Sequence, residues 1–304
     1  MDYVLETNNL TKKYRRYPAL NELNMHVPKG SIYGLVGKNG AGKTTLIRLI
    51  CGLQEPTSGS FTLYLQENGS QSIANARRRM GAVVETPSIF LNMTAEDNLK
   101  QQSMILGLPS YEGIPELLKL VGLENTGKKK ARNFSLGMKQ RLGIAVALVG
   151  DPDFLMLDEP INGLDPQGIV EMRELILKLN RERQVTVLIS SHILDELSRL
   201  ATHYGILDNG RMVLELSAAE LESKFRSCVC MEVTDTAVLA RVLDSMNVEY
   251  KILTATTANV FAKTNVTRLA AALEQEGCEI LSMREKDESL ESFFLSLVGG
   301  GDHA

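Results

Sequence analysis

"SIYGLVGKNGAGKTTLIRLICGL", running from Ser31 to Leu53, decides how the chain is read. Ser31 to Val36 is a short apolar run with the character of a buried strand. Gly37-Lys38-Asn39-Gly40-Ala41-Gly42-Lys43-Thr44 follows and fits the pattern GxxxxGK[ST]. From Thr45 onward Leu46, Leu49, Ile50 and Leu53 recur at helical spacing. Strand, glycine loop and helix, in that order, are the context in which this motif cradles phosphate. The glycines let the backbone turn tightly and aim several N–H groups inward, and the helix start adds a positive dipole end. Lys43 is placed to reach the β- and γ-phosphates of a nucleotide, and the Thr44 hydroxyl to ligate magnesium.

A nucleotide triphosphate needs a metal and an attacking water, and "DPDFLMLDEPINGLD" from Asp151 to Asp165 offers groups for both. Asp153 to Leu157 reads as a buried parallel strand ending on Asp158 and Glu159. Ligands of open α/β sheets gather at the carboxyl ends of strands. Asp158 is therefore expected to hold magnesium through water, and Glu159 to polarise the attacking water as general base. Val185 to Ser190 is a further β-branched strand, and His192 just beyond it is a candidate for a γ-phosphate contact. His26, His203 and His303 carry no such context and are assigned nothing.

With "FSLGMKQRLGIA" from Phe134 to Ala145, these motifs resemble the ATP-binding cassette (ABC) transporter ATPases. The resemblance covers roughly residues 5–216. It implies an α/β fold, a P-loop NTPase cassette with a RecA-like core, an antiparallel β subdomain and a helical subdomain over about 87–150. The family's signature loop corresponds to Ser135, Leu136, Gly137 and Met138, with Leu136 and Met138 departing from the usual LSGGQ. Ser135 retains the hydroxyl N-cap and Gly137 the unobstructed N–H at a helix start. By the same resemblance Tyr14 stands where an aromatic ring stacks on adenine. Gly37 through Thr45 bind the ATP phosphates, Asn162-Gly163-Leu164-Asp165 form the D-loop, and His192 is the switch histidine. The family pairs two cassettes head to tail, each ATP lying between one phosphate loop and the other copy's signature helix. ATP and Mg²⁺ are the implied cofactors. A second copy and a separate integral-membrane permease are the implied partners, with the chain peripheral on the cytoplasmic face of the membrane.

"MGAVVETPSIF" at Met80 to Phe90 departs from most cassettes, because Glu85 stands where they carry a glutamine. That variant resembles exporters of the bacitracin-resistance and lantibiotic-immunity type, which implies export of a peptide antibiotic. A lipid, drug or ion cargo keeps the same ATPase role, and a soluble cassette protein acting on ribosomes or DNA is the reading from another class. An ionised Glu accepts but cannot donate as Gln does, so Glu85 is expected to join Thr44 and Asp158 as a metal ligand. It also adds charge beside Asp158 and Glu159, which should raise the metal requirement.

The rest of the chain is read from pattern. Net charge is −4, which argues against a broad nucleic-acid surface. The basic triplets Arg77-Arg78-Arg79 and Lys128-Lys129-Lys130 read as solvated faces. Cys51, Cys228, Cys230 and Cys278 lack the paired spacing of a zinc site and read as core thiols of a reducing compartment. The N-terminus has no signal-peptide pattern, and no apolar run approaches the roughly 20 residues of a membrane span. Antiparallel strands are expected over Tyr3 to Leu10 and Leu23 to Val27, and a hairpin strand over Ser60 to Gln66 turning at Glu67-Asn68-Gly69. Thr94 to Asp97 is a capping-box start, and Pro115 begins a further helix. From residue 217 to 304 the order β-α-β-β-α-β predicts a small α+β accessory domain, ferredoxin-like, ending in an amphipathic helix over Glu288 to Gly300.

Overall fold

The computed structural model describes residues 2–224, 228–261 and 266–286. Contacts divide the chain into two compact units, residues 1–218 and 219–304.

The first unit opens with two long antiparallel strands, β1 (Tyr3–Tyr14) and β2 (Tyr17–Pro28). Both outrun the expected strands, because register shifts around Asn8 and Asn9 carry the pairing past the polar break that seemed to end it. Then come β3 (Ile32–Val36), every residue buried, and α1 (Lys43–Ile50). β4 (Ser58–Leu63) and β5 (Gln66–Glu67) complete a four-stranded sheet in the order β2-β1-β4-β5. The β4–β5 turn lies at Tyr64-Leu65, with φ of 51° and 63°, and not at the Glu67-Asn68-Gly69 signal. Tertiary contacts fix it there. The Tyr64 hydroxyl donates to the Asp153 carboxylate, and the Arg79 guanidinium lies 3.8 Å from its ring centroid. Asn68 serves instead to accept the Phe61 N–H at 2.9 Å. Arg77 likewise donates to the Ile50 carbonyl, so the arginine triplet is partly a structural brace and not only a solvated face.

α2 (Ile73–Arg77) leads into β6 (Met80–Val83). A helical layer follows, α3 (Ala95–Leu106), α4 (Ile114–Leu120) and α5 (Leu136–Leu148). Thr94 and Asp97 cap α3 reciprocally, the hydroxyl accepting at 3.1 Å and the carboxylate holding the Thr94 N–H at 3.1 Å. That exchange holds the Asp97 carboxyl below its usual range. β7 (Phe154–Asp158), α6 (Pro166–Arg183), β8 (Thr186–Ser191), α7 (Leu194–Ser198), β9 (His203–Asp208) and β10 (Arg211–Ser217) close the unit. The main sheet has the order β10-β9-β3-β8-β7-β6. Its strands are parallel except β10, which returns antiparallel to β9 through the Asn209-Gly210 turn. β3, β7 and β8 are buried along their whole length, which is why they read as continuous apolar runs.

Glu215 on β10 fastens three strands. Its carboxylate accepts the His26 backbone N–H at 2.7 Å and the Tyr33 hydroxyl at 2.6 Å, and pairs with the His26 ring at 2.9 Å. Burial, with this carboxylate alongside, raises the Tyr33 pKa well above the usual phenol value.

α8 (Ala218–Lys224) starts at the boundary, and the second unit goes on with β11 (Cys228–Val233), α9 (Thr236–Ser245), β12 (Tyr250–Ile252), β13 (Thr257–Val260), α10 (Val266–Gln275) and β14 (Ile280–Lys286). Its sheet runs β12-β13-β11-β14 with every neighbouring pair antiparallel, the ferredoxin-like arrangement. Met231, Val233, Leu239, Leu243, Leu269 and Leu273 centre its core. The expected helix over residues 288–300 lies outside the described residues. Cys51, Cys230 and Cys278 are free thiols. Burial, the dominant influence, pushes the Cys51 thiol up to about 12.

Candidate nucleotide-binding and catalytic site

The glycine loop joins β3 to α1, and its shape is enforced from both sides. A Cβ on Gly37 would meet the Leu207 carbonyl oxygen at 2.6 Å. Gly42 has φ of +112°, and a Cβ there would meet the Ala19 carbonyl oxygen at 2.5 Å. Lys38, Asn39 and Gly40 are exposed at the crest, and Ala41 is buried beneath. Lys43, only 6% exposed, arches back over its own loop. Its Nζ donates to the Gly37 carbonyl at 2.6 Å and lies 3.2 Å from Glu159 Oε1.

The parallel strands deliver their carboxyl ends to this loop. Thr44 Oγ1 donates to Asp158 Oδ2 at 2.8 Å, and Ser190 Oγ donates to Asp158 Oδ1 at 2.6 Å. Asp158 is 2% exposed, and no cationic side chain pairs with it among the described residues. The Glu159 N–H donates to Ser190 Oγ at 3.0 Å, and Glu159 itself takes φ of 49°. A left-handed backbone at a non-glycine residue is strained and persists where its surroundings over-determine it. The Glu159 carboxylate lies between two nitrogen groups, Lys43 and the His192 ring, whose Nδ1 is 2.8 Å from Oε2. Lys43, Thr44, Asp158, Glu159 and His192 thus stand in one place.

Tyr14 is 40% exposed, its hydroxyl donating to Gln54. Together with Tyr17, Asn39, Gly40, Thr45 and Glu159 it lines an open cleft of about 330 Å³. None of Ser135, Leu136, Gly137 and Met138 lines that cleft. Ser135 N-caps α5, accepting the Met138 N–H at 3.2 Å. Leu136 lies over the D-loop, its Cδ2 3.2 Å from where a Gly163 side chain would begin. Asp165 N-caps α6, accepting the Gly168 N–H at 3.2 Å.

Glu85 is not brought into the acidic group. Its carboxylate is 57% exposed and held by Arg48 at 2.6 Å. No cluster of three or more acidic, His or Cys side chains suited to a metal forms among the described residues. Of the expected metal ligands Thr44, Asp158 and Glu85, the structure brings Thr44 and Asp158 together and pairs Glu85 with Arg48 instead. Sequence reading missed Arg48, Ser190, Tyr17 and Gln54. Ser190 had a signal, a hydroxyl closing a β-branched strand beside the carboxylate strand. Arg48 had none, since its partner depends on which strand neighbours α1.

The sequence profile of the ABC transporter family matches residues 20–162. The chain is 38% identical over 303 residues to the bacitracin transport ATP-binding protein BcrA of Enterococcus faecalis, covering 99% of this chain and 98% of that protein. It is 41% identical over 232 residues to the lantibiotic transport ATP-binding protein SrtF of Streptococcus pyogenes, covering 75% of this chain and 99% of that protein. Among solved structures, cbiO1 from Clostridium perfringens, part of the ABC transporter complex cbiONQ, matches with a TM-score of 0.67 and 27% identity. That match covers 81% of this chain and 97% of the other.

Proposed function

This chain belongs to the ABC transporter family as an ATP-binding subunit, and from that premise we propose that it hydrolyses ATP with Mg²⁺ to drive a separate permease. The observation that carries the catalytic reading is the placement of Glu159 between Lys43 and His192, beside a buried Asp158 held by two hydroxyls.

The residues fit a hard divalent cation. Asp158 is a buried carboxylate without a cationic partner among the described residues. Its Oδ2 and the Thr44 hydroxyl are 2.8 Å apart. Thr44 would hold Mg²⁺ by its hydroxyl and Asp158 through water, and the ion would supply positive charge to offset that of the nucleotide's phosphates.

The chain's own groups do the rest. The β- and γ-phosphates draw Lys43 away from the Gly37 carbonyl and from Glu159, since a doubly charged phosphate outbids one carboxylate. Glu159 then accepts a proton from water as the water oxygen attacks the γ-phosphorus and the bond to the ADP oxygen breaks. His192 has one ring N–H to give when neutral: on Nδ1 it orients the Glu159 carboxylate, and on Nε2 it donates to the γ-phosphate instead. Tyr14 and Tyr17 present aromatic faces for the adenine. The signature residues Ser135 to Met138 lie outside the cleft, which favours their serving the ATP of a second copy paired head to tail.

The groove between β6 and the helical layer is the seat for the permease. It holds about 400 Å³ and is lined by Arg77, Val84, Ser88, Leu106, Gly143 and Pro152 among others. Phe90, Leu91 and Ile105 are exposed apolar residues of the same helical region. No helix among the described residues is long and apolar enough to cross a membrane, so a further chain would provide the path. The cargo is a peptide antibiotic, as the names of the bacitracin and lantibiotic relatives suggest. The test is Glu159→Gln. ATP binding should persist while phosphate release falls roughly 10²–10⁴-fold, the usual worth of a general base. Unchanged release would remove Glu159 from that role.

A further inference from the structure

β6 and β7 are neighbouring parallel strands, with Val83 paired to Leu157. Counting on from that pair, Glu85 and Glu159 occupy equivalent positions two residues later. Both take a left-handed backbone, φ 58° and 49°. Both are met by a cation from the same helix, α1. Lys43 reaches Glu159 at 3.2 Å, and Arg48 reaches Glu85 at 2.6 Å. Thr44 and Arg48 are four residues apart, on one face of that helix, and contact the ends of β7 and β6 respectively. Asp158, next to Glu159 on β7, is the one carboxylate of the three with no cationic partner among the described residues.

Resting on the ATPase reading above, we infer that Arg48 is a positioning residue that withholds Glu85 from the divalent cation. The guanidinium and the cation compete for one carboxylate, and the outcome sets how much Mg²⁺ nucleotide binding requires. The pair suits an exchange and not a lock. Its side chains are 33% and 57% exposed, and ion pairs so hydrated are weak. Glu85 also begins the segment that leads to the helical layer, so the exchange would be felt at the permease seat.

The experiment is calorimetric titration of ATP into the full-length chain over a series of Mg²⁺ concentrations, with no turnover readout needed. The proteins are wild type, Arg48→Ala, Arg48→Gln, Arg48→Lys, Glu85→Gln and the double variant Arg48→Ala/Glu85→Gln. Freeing Glu85 in Arg48→Ala or Arg48→Gln should lower the half-saturating Mg²⁺ about three- to fivefold, the upper scale of a hydrated ion pair. Arg48→Lys, which keeps the charge, should stay within about twofold of wild type. In the Glu85→Gln background, loss of Arg48 should produce less than half of that shift. An equal shift in both backgrounds would mean that Arg48 acts by bulk charge, and no shift in either neutral variant would mean that it does not compete. Either result overturns the inference while leaving wild-type ATP-Mg binding intact. A wild-type protein that gives no heat with ATP and Mg²⁺ would overturn the ATPase reading, and this inference with it.

Discussion

The two units are both sheets covered by helices, yet they spend polar groups in opposite ways. In the first, parallel strands end together along one edge, so Asp158, Glu159, Ser190 and His192 arrive beside the loop after β3. In the second, antiparallel neighbours alternate direction, and successive strand ends fall on opposite sides. The first unit carries left-handed glutamates at two strand ends. In the second, the left-handed residues described are Asn247 and Gly277, both at turns following helices. Its ion pair Arg241–Glu276 is exposed on both sides, where such contacts contribute little. The lesson is that a left-handed glutamate beside a buried carboxylate with no cationic partner among the described residues sets the first unit's strand ends apart from the second unit's.

That contrast can be broken experimentally. Leu273 is fully buried in the second unit, and Leu273→Ala should destabilise that unit by roughly 2–5 kcal/mol. A separate melting transition should fall by about 10 °C or more while ATP affinity stays put. If affinity falls as well, the two units are not energetically separate. Lys43→Ala removes a charged donor from the glycine loop. Calorimetry should find ATP affinity lower by roughly 2–3 kcal/mol, about 30- to 150-fold, with the second unit's melting unmoved. The smallest effect is expected from a chain ending at residue 218. Its ATP affinity should lie within about twofold of the full chain, given that the streptococcal relative aligns over 99% of its own length with 75% of this one. A larger loss would show that the second unit supports the site.

Some of this was legible because steric demand writes directly into residue type. Gly37 and Gly42 have backbone atoms where a side chain would be, and no other residue fits. Asp158 and Glu159 showed because charge abruptly ended an apolar run, and the order of the second unit showed because Met231 and Val233 alternate while Leu239, Val242 and Leu243 recur at helical spacing. What stayed hidden depended on neighbours distant in sequence. Tyr64 turns the chain because Asp153 lies 89 residues away. Glu85 is diverted by Arg48, 37 residues upstream on another element. His26 had no apparent task until Glu215 was found 189 residues downstream.

Glu215 also has a consequence for how such chains are assembled. It gathers its donors from β2 and β3 before β10 ends at Ser217, so the fastening is finished upstream of residue 219. A splice made just past that point would leave each of those partners where it was. The fastening therefore belongs to the first unit's own sequence, and a chain cut after residue 218 would carry it whole.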